Sequence, residues 1–249
     1  MPATMTTTTV TNGANGVNGS NGINGINGAN GTNGSHKELQ FDSIEESVEA
    51  FRRGEFLVVL DSTDRENEGD LIIAAQDVTT EKMAFMVRHT SGYVCVPMTP
   101  AHTDRLDLPQ MVPKNQDTHQ TAYTITTDFA TGTTTGISAH DRALTARKLA
   151  DPTSKPLEFR RPGHVLPLRA KKGGVRVRRG HTEAATELCR LAGKEEVGVI
   201  CEIVKEEDGL MARRDDCIAF ARRWGLKVCT IEDMVDYVEA KEGKWVDEA

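Results

Sequence analysis

The sequence predicts a layered α/β protein built on a mixed sheet. Short strand-like apolar runs alternate along the chain with segments of helical periodicity, which is the pattern of a sheet flanked by helices. Hydrophobic residues make up 38% and charged residues 27% of the 249 residues, which is typical of globular chains and excludes a wholly disordered one. The longest uncharged apolar runs reach about five residues, whereas a membrane-spanning helix needs roughly 20. The sequence therefore predicts no membrane segment.

The first part of the chain differs from the rest in composition. Residues 11–34 repeat the triplet X-Asn-Gly, and no charged residue precedes His36 and Lys37. Such a stretch cannot bury enough apolar surface to offset the entropy of ordering it. It also lacks the apolar core of a secretory signal and the arginines of an organellar transit peptide. We expect a disordered tail over residues 1–35 and a single folded domain over residues 36–249.

The folded part divides into predicted elements at its capping and turn residues. Ser43 and Glu46 form a capping box that predicts a helix over 44–53, which Gly54 ends. The predicted strands, each bounded by turn residues, are 56–60, 71–75, 93–98, 123–129, 165–170, 197–203 and 226–230. The further predicted helices are 80–90, 138–149, 182–191, 215–224 and 232–239. A stretch with two prolines, 106–121, is predicted as a long surface loop.

An acidic run joins the first two predicted strands, 56–60 and 71–75. The sequence DSTDRENEGD occupies residues 61–70, directly between two strands that are predicted to be buried. Carboxylates beside a glycine at the end of a strand suit Mg²⁺, because a hard cation prefers oxygen ligands. The alternative is a solvated acidic turn with no ligand. The charge pattern alone does not separate the two.

A basic run lies later in the chain. Residues 160–179 contain eight Lys or Arg side chains and no acidic one. The end of the run, from Arg178 to His181, leads into a predicted helix, where free amides and the helix dipole favour a phosphate. Nucleic acid is the rival ligand, but single-strand binders place aromatic residues among the basic ones. This run has none, and the chain carries a net charge of −7. A small phosphorylated molecule is the better interpretation, without nucleic acid as a partner.

Three further side chains are candidates for proton transfer or metal binding. His164 and His181 lie beside glycines at the edges of predicted elements, and histidine titrates near neutral pH. Each could instead be an ordinary polar surface or core residue. Glu202 interrupts an apolar strand and shares a face with Ile200. A carboxylate buried there would need a partner, unless that face of the sheet is open to solvent.

The cysteines indicate the compartment. Five cysteines without a Cys-X-X-Cys spacing form neither a complete disulfide framework nor a thiolate zinc site. We expect reduced thiols and a cytoplasmic protein.

At this point the motifs resemble those of a known family. The runs DSTDRENEGDLIIAA, GYVCVPMT, TTTGISAHDRALTARKLAD, RPGHVLPLRAKKGGVRVRRGHTEAATELCRLAG and GVICEI, in that order, resemble 3,4-dihydroxy-2-butanone 4-phosphate synthase over residues 38–240. The resemblance implies a lyase of riboflavin biosynthesis that converts the phosphosugar D-ribulose 5-phosphate to L-3,4-dihydroxy-2-butanone 4-phosphate and formate. It further implies Mg²⁺ or Mn²⁺ as cofactor, a cytosolic homodimer and a three-layer α/β sandwich.

The resemblance also implies roles for individual residues. Glu66 and His181 resemble the family's ligands for the divalent metal ion. Arg65 and Asp70 resemble the groups that hold the sugar, and Arg178 and Thr182 resemble those that hold the phosphate. The positions needed for catalysis correspond to His164 and Glu202, and the sequence does not tell which of them acts at which step. Two other residues in motifs that line the family's site are Glu68 and Cys95.

Two other function classes remain compatible with the residues. A different metal-dependent phosphosugar isomerase or lyase could use the same groups, and it would differ by releasing no formate. An α/β protein that recognises RNA or a nucleotide through the basic run would not need the pair Glu66 and His181.

Overall fold

The computed structural model describes residues 41–246. The predicted tail over residues 1–35 lies outside this range. Within it, seven strands form one sheet in the order β4-β5-β3-β6-β2-β1-β7. The pairs β1–β7 and β3–β5 are parallel, and β1–β2, β2–β6, β3–β6 and β4–β5 are antiparallel. The sheet is therefore mixed, as the sequence predicts. No helix in residues 41–246 is long and apolar enough to cross a membrane.

The strands are short, and most are buried on both faces. Their bounds are Leu57–Leu60 (β1), Gly69–Ala74 (β2), Cys95–Met98 (β3), Thr127–Phe129 (β4), Phe159–Arg169 (β5), Gly198–Glu202 (β6) and Lys227–Thr230 (β7). Every residue of β1, β2, β3 and β4 is buried. Continuous burial explains why β1 and the end of β2 appear in the sequence as unbroken apolar runs.

The described part of the chain contains seven α-helices. Their bounds are Ile44–Arg52 (α1), Thr80–His89 (α2), Pro100–Arg105 (α3), Ala139–Ala150 (α4), His181–Leu191 (α5), Arg214–Trp224 (α6) and Ile231–Glu242 (α7). Side-chain oxygens of Ser43, Thr79, Ser138 and Thr230 accept hydrogen bonds from first-turn amides. These caps satisfy amides that have no partner inside the helix.

Two apolar cores, one on each face of the sheet, make the protein a three-layer sandwich. One core joins α2, α4 and α6 to strand residues such as Val58, Ile73 and Val199. The other joins α1, α5 and α7 to the alternate strand residues, such as Val59, Ile72 and Ile200. The alternation follows from the pleat, because neighbouring residues of a strand point to opposite faces. The predicted fold class is confirmed.

The largest differences between the sequence-based boundaries and the structure lie in three places. Helix α3 was not predicted, because its six residues are too few to show a helical period. The predicted strand 123–129 shortens to β4, Thr127–Phe129. Strand β5 begins at Phe159 rather than at residue 165. Its first half contains Pro162 and Gly163, which are typical of loops, and only its pairing with β4 makes it a strand.

Candidate active site

The acidic run between β1 and β2 folds around one buried carboxylate. Asp61 Oδ2 accepts hydrogen bonds from Glu66 N at 3.1 Å and from Arg65 Nη1 at 2.8 Å. Asp61 Oδ1 accepts from Glu68 N at 2.9 Å. The connection is therefore an ordered loop rather than a solvated turn. The guanidinium of Arg65 also bonds the carboxylate of Glu66, so it partly neutralises both acids.

Helix α5 brings a histidine to this loop. The side chain of His181, the first residue of α5, is buried, and its Nε2 lies 3.1 Å from the carbonyl oxygen of Val59. A carbonyl oxygen only accepts, so Nε2 carries the hydrogen and Nδ1 keeps a free lone pair. Burial lowers the pKa of His181, which favours the neutral form that binds metal. Metal-ligating histidines are commonly oriented by such a bond from the second nitrogen.

The donor set fits a hard divalent cation. Ligand atoms of Asp61, Glu66 and His181 all lie within 4.8 Å of one another. Close by, Asp70 Oδ1 is buried without a hydrogen-bond partner and lies 3.7 Å from His181 Nδ1. Two electron-pair acceptors at this distance are too far apart to share a proton in a hydrogen bond and leave room for a cation between them. Burial, and next the charge of Glu202, hold the pKa of Asp70 well above its usual range.

Two cations converge on the start of α5. No side chain caps this helix, whose N-cap residue is Gly180. A Cβ at Gly180 would collide with Arg178 Nη1 and would lie 3.2 Å from Arg65 Nη2. The glycine therefore leaves the space in which the two guanidinium groups approach the helix. Thr182 is buried in the first turn. Amides of a first turn together with arginines form a typical phosphate site.

Arg178 also serves the structure. Its Nη1 lies 2.5 Å from Oε2 of the buried Glu183, its Nε donates to the carbonyl of His119 at 3.2 Å, and its Nη2 donates to Thr121 Oγ1 at 3.0 Å. These bonds tie the predicted long loop to α5. They place His119 Nε2 3.8 Å from Glu66 Oε1. His119 was missed at the sequence level, since no pattern in the loop marks it.

Glu202 and Asp70 lie opposite each other on two adjacent strands. Asp70 on β2 pairs in register with Glu202 at the end of β6. Glu202 is half-buried, and its Oε2 lies 2.6 Å from Ser91 Oγ. Burial raises the pKa of the nearby Cys95 thiol well above its usual range. A thiol in that state is a poor nucleophile, and Cys95 serves as a wall of the site.

His164 lies apart from this cluster. On β5, its Nδ1 is 2.7 Å from Asp128 Oδ2 and its backbone N donates to Asp128 Oδ1 at 2.8 Å. The carboxylate therefore fixes the ring and leaves Nε2 free, and 42% of the side chain is exposed. A Cβ at Gly136 would collide with both side chains. Within residues 41–246, no hydrogen bond or ion pair links His164 to the acidic cluster.

The fold and the site together define a class: an α/β protein that presents a divalent-cation cluster beside a cationic helix N-terminus. Comparison with known proteins gives the family. The chain belongs to the 3,4-dihydroxy-2-butanone 4-phosphate synthase family, whose model matches residues 45–237. Family membership confirms the resemblance and the enzyme class that the motifs predict.

Similar proteins cover nearly all of the described chain. A 3,4-dihydroxy-2-butanone 4-phosphate synthase from Schizosaccharomyces pombe is 62% identical over 200 residues, which are 80% of this chain and 98% of that protein. One from Pyricularia oryzae is 62% identical over 215 residues, covering 82% and 92%. A crystal structure of such a synthase in complex with two magnesium ions has a TM-score of 0.80 at 62% identity, covering 82% of this chain and all (100%) of that one.

The metal cluster leads to a binding prediction. Glu66→Gln and His181→Ala each remove one ligand, so each should weaken Mn²⁺ or Mg²⁺ binding at least about 10-fold in isothermal titration. His140→Ala is the matched control, because His140 is exposed on α4 and contacts Thr80 instead. Circular dichroism should show that all three variants stay folded. Unchanged affinity in both ligand variants would place the cation elsewhere.

Proposed function

We propose that this chain converts D-ribulose 5-phosphate to L-3,4-dihydroxy-2-butanone 4-phosphate and formate in riboflavin biosynthesis, with Mg²⁺ or Mn²⁺ as cofactor. The activity is the one that the family's name carries, and the chain spans 98% of the Schizosaccharomyces pombe relative. One structural observation supports it above the others. His181 belongs to the candidate metal cluster and is also the first residue of the helix on whose N-terminus Arg65 and Arg178 converge.

This juxtaposition suits a phosphosugar, whose two ends need different partners. The arginines and the first turn of α5, with Thr182, hold the phosphate. Bound at Glu66 and His181, Mg²⁺ supplies a Lewis acid and a template for the vicinal oxygens of the sugar. Arg65 bonds the acids of the metal cluster through Nη1 and reaches the helix start through Nη2. It therefore links the two halves of the site, and Asp70 contributes a further oxygen to the sugar end.

Proton transfer falls to His164 and Glu202. Enolising the ketose needs a base beside the carbonyl, and loss of the C1 hydroxyl needs an acid. His164 exchanges its proton at Nε2, because Nδ1 is engaged by Asp128. Glu202 exchanges its proton at a carboxylate that Ser91 holds at 2.6 Å. General acid–base groups of this kind each contribute about 10² to 10⁴ in rate.

The first test of the activity is product analysis. Purified protein with D-ribulose 5-phosphate and Mg²⁺ should release one formate for each four-carbon phosphate formed, as followed by NMR. EDTA should stop the release and added Mg²⁺ should restore it, because the sugar oxygens lose their template without the cation. An isomerised pentulose phosphate without formate would favour a different phosphosugar enzyme. Turnover that survives complete metal removal would contradict the proposal.

Binding and chemistry should separate in two variants. Arg178→Ala removes a cation that holds phosphate throughout the reaction, so KM should rise more than kcat falls. Glu202→Gln keeps the volume but removes the exchangeable proton, so kcat should fall by about 10² or more while the substrate still binds. Steady-state kinetics together with substrate titration check the pattern. Near-normal kcat in Glu202→Gln would mean that Glu202 has no catalytic role and is only a carboxylate on the face of the sheet.

We assign the protein to the cytoplasm as a homodimer whose sites take residues from both copies. Five buried free cysteines are compatible with a reducing compartment. Tyr93 and Ile137 are large apolar side chains that are both 53% exposed. Tyr93 N donates to Ser91 Oγ beside Glu202, and Ile137 follows Gly136, which abuts His164. A second copy would cover both side chains. The separation of His164 from the acidic cluster within one chain also supports shared sites.

Mixing two inactive variants tests the shared site. His164→Ala and Glu202→Gln should each be nearly inactive alone. If every site takes His164 from one copy and Glu202 from the other, random pairing of co-expressed chains should restore about a quarter of wild-type activity, since about half of the dimers are mixed and each has one intact site. Light scattering should give a dimer throughout. A dimer without restored activity, or an active monomer, would contradict the assignment.

A further inference from the structure

The turn between α2 and β3 is held rigidly. Thr90 Oγ1 donates to the carbonyl of Met86 at 2.6 Å and accepts from Gly92 N at 3.3 Å. Gly92 adopts a left-handed conformation, with φ of 75°, which glycine tolerates best. Contacts of Thr90 and Gly92 therefore hold the end of the helix and the turn of the chain independently of Ser91.

A buried cation supports the same turn. Arg142 on α4 is only 6% exposed, and its Nη1 donates to the carbonyl of Gly92 at 3.0 Å. Its Nε has no hydrogen-bond partner in the described part of the chain. Burying a guanidinium costs free energy unless hydrogen bonds or an ion pair offset its desolvation. The role of Arg142 that the contacts indicate is to hold the Ser91–Gly92 turn against α4.

Ser91 contacts both the main chain and the side chain of Glu202. Its backbone N donates to the carbonyl of Glu202 at 2.8 Å. Its Oγ lies 2.6 Å from Glu202 Oε2 and accepts from Tyr93 N at 3.2 Å. The amide of Tyr93 occupies one lone pair, and the carboxylate only accepts, so the hydroxyl hydrogen points to Glu202. The short O···O distance is typical of a bond to a charged acceptor.

One other acceptor competes for the hydroxyl. Cys201 Sγ lies 3.3 Å from Ser91 Oγ, but sulfur is a weak acceptor compared with a carboxylate. The bond to Glu202 therefore determines the orientation of the hydroxyl. Without it, the main chain of Glu202 would keep its bond from Ser91 N, but its carboxylate would lose the one hydrogen bond that it accepts in the described part of the chain.

We propose that Ser91 is a positioning residue, which holds the Glu202 carboxylate in the orientation needed for proton transfer. The inference rests on the proposed catalytic role of Glu202. It gives the turn between α2 and β3, and the buried Arg142 that supports it, a function in catalysis. This function is separate from metal binding and phosphate binding. Small errors in the placement of a reacting group lower rates steeply, so the effect should fall on kcat.

Three variants test the positioning role. Ser91→Ala should lower kcat about 10- to 100-fold and leave KM within about 2-fold. Ser91→Thr keeps the hydroxyl and should recover kcat to within about 3-fold of wild type. Ser43→Ala is the matched control: it deletes a hydroxyl that caps α1, so it should lower the melting temperature without lowering kcat. Wild-type kcat in Ser91→Ala, or no recovery in Ser91→Thr when both fold normally, would overturn the inference.

A double-mutant cycle shows whether Ser91 acts through Glu202. In the Glu202→Gln background, Ser91→Ala should cause less than about a 2-fold further loss of kcat, because the orientation of the carboxylate no longer matters. A full additional loss would mean that Ser91 acts by another route. Failure of the proposed activity would look different, since the wild-type protein would then release no formate. Loss of activity in Glu202→Gln with none in Ser91→Ala would reject only the positioning role.

Discussion

The concentration of carboxylates at one edge of the sheet is the constraint on which the site depends. Asp61, Glu66 and Glu68 come from one short connection, Asp70 lies at the start of the strand that follows it, and Glu202 faces Asp70 from the neighbouring strand. Such a cluster is unfavourable unless cations or protons compensate it. Arg65 compensates part of the charge, whereas burial, and next the charge of Glu202, raise the pKa of Asp70. A divalent cation held at Glu66 and His181 would compensate more of this charge.

Close packing of α5 on the sheet brings the second half of the site to this edge. A Cβ at Gly198 on β6 would lie 2.8 Å from the Cβ of Ala185, so a glycine is needed where the helix crosses the strand. Ala184 and Leu188 continue the contact in the same core. The helix thereby starts where His181 meets the carbonyl of Val59. A helix that packed farther away would separate the proposed phosphate end of the site from the candidate metal ligands.

Local signals in the sequence were sufficient for most of the fold but only for part of the site. The capping box at Ser43 and the apolar runs predict the correct elements, because burial on both faces and helix caps act over a few residues. Glu66 and His181 carry recognisable motifs. Asp128, Ser91 and His119 do not, since each acquires its role only from a partner that is 36 to 111 residues away in the chain or across a loop. Long-range pairing of this kind leaves no periodic trace in a single sequence.

The basic run over residues 160–179 shows how a charge pattern can mislead about the extent of a binding surface. In the sequence its eight cations form one block, but the fold disperses them. Arg161 donates to the carbonyl of Leu106, Arg169 pairs with Asp104, and Arg176 pairs with Glu242. These contacts tie loops and helices to the domain. Of the run, Arg178 reaches the start of α5, and there Arg65 from the acidic run joins it. The anion-binding end that we propose for the site therefore combines one residue from each run, which neither charge pattern predicts alone.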